Sequence, residues 1–142
     1  MPFSRMDAVH SLRLMRENKG GGVTIDDVRQ LAANLPRSQE ALVRDRVKFR
    51  VGRIVYLAFA RDETMMGFAF PKEERAALVA SEPDKFLLPK QSDMRYNWVV
   101  VRLAAIDLAE MREIVMEAWR MVVPKFVAKE IFEKGGWPSQ SQ

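Results

Sequence analysis

Between Val43 and Ala60 the chain reads V-R-D-R-V-K-F-R-V-G-R-I-V-Y-L-A-F-A, a pattern that few folds accommodate. Arg44, Arg46, Lys48 and Arg50 occupy every second position, with Val47, Phe49 and Val51 between them. Side chains alternate faces along a strand, so this spacing predicts four cations on one face and apolar residues on the other. Gly52 permits a tight turn, with Arg53 beside it, and the almost continuously apolar Ile54–Ala60 reads as a central strand. A β-hairpin with one basic and one apolar face is expected.

The positive charge is concentrated in this region. From Arg37 to Arg53 six Lys/Arg stand against two acids, leaving 17 of each sign in the rest of the chain. The segment therefore carries the whole formal net charge of +4. A localised excess attracts phosphate or an acidic surface better than a scattered one. An antiparallel sheet also commonly keeps one solvated face, where cations discourage edge pairing. Four like charges about 7 Å apart along one strand nevertheless repel one another. Laid along a nucleic-acid backbone, they would meet phosphates without reading bases.

The flanking sequence supplies helices and further strands. Thr24 and Asp27 form a capping-box pattern ahead of a helix whose buried stripe is Val28, Leu31, Ala32 and Leu35, closed by Pro36. After the hairpin, Asp62-Glu63 turns the chain into a strand over Met65–Phe70, and Pro71 opens a helix to about Ala80. Phe86–Leu88 reads as a short strand, Pro89–Asn97 as a polar loop, and Trp98–Leu103 as a strand. Asp107 caps the longest helix with Glu110 as its box partner; Leu108, Met111, Ile114, Val115, Ala118 and Val122 form the docking stripe. A last helical piece, Lys125–Lys134, is anchored by Phe126, Ile131 and Phe132.

This order predicts an α+β domain with a largely antiparallel sheet packed against helices. Its expected limits are residues 23–134, after a flexible or helical N-terminal extension (1–22) and before a frayed tail (135–142). At 142 residues one domain is expected, and no apolar run approaches the roughly 20 residues that span a bilayer. No secretory segment is read at the start and there is no cysteine, so a cytoplasmic protein without membrane partners is expected.

Four stretches carry a resemblance to a known family: T-I-D-D-V-R-Q-L-A at the first helix; F-R-V-G-R-I-V-Y across the hairpin; P-K-E-E-R-A-A-L-V-A followed by E-P-D-K-F; and W-V-V-V-R-L followed by E-A-W-R-M and P-K. In this order and spacing, over roughly Val23–Ile131, the chain resembles the MmcQ/YjbR-like family. The resemblance implies a compact α+β domain likened to a double-wing DNA-binding fold, whose members are often described as predicted DNA-binding proteins. It brings no catalytic residues.

Two surfaces are candidates for binding. Arg44, Arg46, Lys48, Arg50 and Arg53 form the basic hairpin face, suited to DNA or another polyanion. Lys90, Arg95, Tyr96, Asn97, Trp98 and Arg102 mix cations with aromatics, so a pocket near Tyr96 and Trp98 could instead hold a base, a small molecule or a protein segment. A packing role is the simpler expectation for Trp98 and for Trp119. An enzyme is not expected. His10 is the only histidine and lies in the lead segment, so neither a Ser-His-Asp triad nor a histidine metal site is read, and no cofactor is expected. The acids of Asp62-Glu63 and Glu73-Glu74 are sequence neighbours whose side chains diverge, and Gly20–Gly22 lacks the Lys-Ser/Thr of a phosphate loop.

Overall fold

The computed structural model describes residues 22–133. The expectations for the lead segment, with His10, and for the tail lie outside the described residues. Helix α1 (Ile25–Ala32) starts with the expected capping box: the Asp27 N–H donates to Thr24 Oγ1 at 3.3 Å, and the Thr24 N–H donates to Asp27 Oδ2 at 2.9 Å. The chain then forms strands β1 (Ser38–Val43), β2 (Arg46–Val51), β3 (Ile54–Phe59) and β4 (Met65–Ala69). Helix α2 (Lys72–Ser81), strands β5 (Phe86–Leu87) and β6 (Trp98–Arg102), and helices α3 (Leu108–Arg120) and α4 (Lys125–Glu133) complete it.

The strands form one six-stranded sheet in the order β1-β2-β3-β4-β6-β5, with every neighbouring pair antiparallel. This is the expected α+β architecture with one strand more than the sequence predicts. The expected single strand over Arg44–Val51 is divided. Arg44 and Asp45 both take positive φ (53° and 67°) and form a two-residue turn, so β1 precedes the basic strand and Arg44 leaves it. Such a turn is matched to the twist of a hairpin but is usually marked by Asn-Gly or Asp-Gly. Arg-Asp gives no such signal, and the Ser, Gln, Glu and Ala of β1 are weak strand formers.

One sheet face forms the core. Phe49, Leu57, Phe59, Met66, Phe68, Val99 and Val101 are buried on it, with Val28 and Leu31 from α1 and Met111, Ile114, Val115 and Trp119 from α3. Trp119 is a packing residue, as expected; its indole N–H donates to the Pro36 carbonyl at 2.9 Å and ties α3 to the end of the α1 loop. A bulge in β3 lets Tyr56 and Leu57 both enter the core, because Phe49 pairs with Leu57 while Arg50 pairs with Val55. The Tyr56 hydroxyl shares a 2.6 Å hydrogen bond with Ser38 Oγ, and burial pushes the phenol pKa up to about 12 against the smaller opposing effect of that bond. Phe126 is not the anchor of α4: it is 66% exposed, with the Arg37 guanidinium 5.6 Å from its ring centre, while Val127 and Ala128 are buried in its place.

Candidate functional site

The register of β2 decides where its cations go. Val47, Phe49 and Val51 share the core side, so Arg46, Lys48 and Arg50 share the opposite face. Arg44 sits at the β1–β2 turn and Arg53 at the β2–β3 turn, where Gly52 takes φ 61°. The expected ladder of four is therefore three cations in a strand, continued at each end by an exposed arginine. Along β2 the three are spaced at about 7 Å.

None of Arg44, Arg46, Lys48, Arg50 and Arg53 forms an ion pair among the described residues. Of the two acids in the basic segment, Glu40 is engaged by Arg29 of α1, Nη2 to Oε2 at 3.0 Å. Asp45 lies in the turn. Arg46 is tethered, its Nε donating to the Phe59 carbonyl at 3.3 Å.

The sheet brings part of the second candidate set to this same face. Lys48, Ala58, Gly67 and Val100 pair in one row across β2, β3, β4 and β6. Trp98 and Arg102 flank Val100 at the alternate positions of β6 and so face the same way. Trp98 is partly exposed and its indole lies against Gly67: a Cβ there would come within 2.5 Å of Nε1. A glycine inside a strand marks such a close approach, and this is the one sequence signal that could have linked Trp98 to the basic strand.

The remaining second-set residues serve the loop before β6. Asn97 Oδ1 accepts from the Lys72 N–H at 3.0 Å and so caps α2 across 25 positions of sequence. The Arg95 guanidinium lies 4.8 Å from the Tyr96 ring centre and Nη2 donates to its hydroxyl at 2.8 Å. Buried Arg75, which sequence reasoning passed over, donates to the carbonyls of Met94, Tyr96 and Trp98. Lys90 is exposed at the start of the loop. The polar groups expected to line a pocket around Tyr96 are thus largely occupied in fixing the chain that delivers Trp98.

A second feature was not legible. Lys85 and Glu110 are both buried, with Nζ 3.0 Å from Oε1, and Glu82 Oε1 lies 3.5 Å from the same ammonium. Glu110 was expected to complete a capping box; instead Asp107 accepts from the Glu110 N–H at 2.9 Å while the Glu110 side chain turns to Lys85. The cluster joins α3 to the segment between α2 and β5 beneath the sheet edge. Among the described residues no helix is long and apolar enough to cross a membrane.

This sheet, closed on one face by helices and cationic on the other, is an α+β domain similar to the crystal structure of Deinococcus radiodurans protein DR2400, a DUF419 domain. The TM-score is 0.63 at 20% identity, covering 77% of this chain and 88% of that one. The YjbR family model matches residues 33–121. The chain is also 30% identical to uncharacterized protein Rv2570 of Mycobacterium tuberculosis and to uncharacterized protein Mb2600 of Mycobacterium bovis, over 80% of its length and 98% of theirs. The chain belongs to the YjbR family.

Proposed function

We propose that this YjbR-family domain is a non-enzymatic, cytoplasmic nucleic-acid-binding module that grips the phosphate backbone with the face of β2. The observation that carries the reading is the row Arg46, Lys48 and Arg50, extended by Arg44 and Arg53, with no ion-pair partner among the described residues. Folding holds like charges side by side on a sheet at an electrostatic cost, and a polyanion would relieve it. Contacts of this kind give affinity and orientation rather than base specificity.

Electrophoretic mobility shift at low salt with mixed-sequence DNA tests the reading. The wild-type chain retards the DNA, and K48E/R50E, which alters only exposed or half-exposed side chains, loses at least about tenfold in affinity while its thermal unfolding is unchanged. Equal retardation by the folded variant would remove β2 as the contact surface.

A further inference from the structure

The basic strand faces a second feature across the sheet: an aromatic residue at a place where phosphate contacts alone would not require one. Between Lys48 and Arg102 the face is built from Ala58, Gly67 and Val100, with Trp98 lying against Gly67. From β2 to β6 is three strand spacings, about 14 Å. The centre of the face is therefore low, apolar and aromatic, and cations stand on both sides of it.

We propose that this face takes single-stranded DNA, with one base stacked on Trp98 and the neighbouring phosphates held by Lys48 and Arg102. The proposal rests on the reading of β2 as a phosphate-contacting surface and names the form of nucleic acid. In a duplex the bases are paired and stacked on one another, so a ring can stack on a base only where the helix is kinked open, at an unstacking cost of a few kcal/mol per step. In a single strand the bases are free to stack on an aromatic side chain while cations follow the phosphates. Ala58, Gly67 and Val100 bring no side-chain hydrogen-bonding group to the centre of the face. Lys48, Arg102 and the Trp98 indole can only donate, so no side chain of this set accepts from a 2′-hydroxyl, and the strand is assigned as DNA. Arg75 supports the arrangement by anchoring the Trp98 carbonyl at 3.1 Å, and Asn97 fixes the preceding residue against α2.

The test uses the full chain and fluorescence anisotropy with oligo-dT, oligo-U and a DNA duplex of equal length. Oligo-dT should bind tightest. Trp98→Ala should weaken oligo-dT binding about five- to 150-fold, the equivalent of about 1–3 kcal/mol per stacked base, and Trp98→Phe should retain most of it. Because Trp98→Ala also empties the space over Gly67, the deciding quantity is the ratio of single-strand to duplex affinity, which a loss of folded protein lowers for neither ligand alone. A ratio unchanged by Trp98→Ala, duplex bound as tightly as oligo-dT, or oligo-U bound more tightly than oligo-dT would overturn the proposal while leaving the β2 reading standing. Absence of salt-sensitive binding to all three ligands would overturn both.

Discussion

Replacing Lys85 with methionine gives a sharp test of the packing beneath the sheet edge. Lys85 is 7% exposed and Glu110 1%, and their Nζ–Oε1 distance is 3.0 Å. Methionine keeps the length of the side chain and removes the charge, so Glu110 stays buried without the Lys85 ammonium. Removing one partner of a buried pair costs about 3–5 kcal/mol, against about 0–1 kcal/mol for an exposed one. With a total stability of about 5–15 kcal/mol, K85M should lose about a fifth of it or more. In urea, where the slope for a small domain is about 1–3 kcal/mol per molar, the midpoint should fall by about 2 M. Adding Glu110→Leu should recover part of this loss at pH 8, since it removes one of the two carboxylates that Lys85 holds, with Glu82 remaining. Far-UV circular dichroism in a urea titration at pH 8 measures both losses. A K85M midpoint within experimental error of wild type at pH 8, or a double variant less stable than K85M, would refute the argument.

Three further predictions follow from other contacts. The Tyr56 phenol pKa is raised to about 12, so its contribution to stability is complete below about pH 10 and lost as pH climbs from about 10 to 12; absorbance near 295 nm should show a late-titrating phenol that Tyr56→Phe removes, and its persistence in that variant would contradict the assignment. Gly67→Ala places a methyl within 2.5 Å of the Trp98 indole and should cost about 1–3 kcal/mol in urea unfolding with a shift in tryptophan emission; a neutral substitution would mean that the ring is free to move. Asn97→Ala removes the cap of α2 and should cost about 1 kcal/mol in thermal unfolding, whereas Asn97→Asp, which keeps the acceptor oxygen, should cost less.

The parts of the fold that were legible are those written in local periodicity. The alternation through Val47, Phe49 and Val51 placed the cations of β2 on one face, and the stripe from Met111 to Ala118 placed α3 on the core. The capping box of α1 was readable because its two partners are three residues apart. What escaped depends on contacts across many residues of sequence or on unmarked backbone. The Arg44-Asp45 turn lacks the glycine that announces such turns, so the alternating pattern runs Arg44 into the strand and conceals β1. Lys85 meets Glu110 across 25 positions, which no spacing rule anticipates, and that contact took Glu110 from its expected capping role. The candidate surfaces followed the same division. Each was legible as a local mix of charge and aromatics, but only the strand order β2-β3-β4-β6 puts Trp98 and Arg102 on the face of Lys48 and leaves Tyr96 in the loop.

The most direct test of the account is the salt dependence of DNA binding. Log K for mixed-sequence duplex against log salt concentration should fall with a slope of about −2.7 to −4.5, from about −0.9 per phosphate for the three to five cations of the β2 face. Arg46→Ala, Lys48→Ala and Arg50→Ala should each reduce the slope by about 0.9. A slope near zero, or one that survives all three substitutions together in the folded chain, would show that this face does not hold the phosphate backbone.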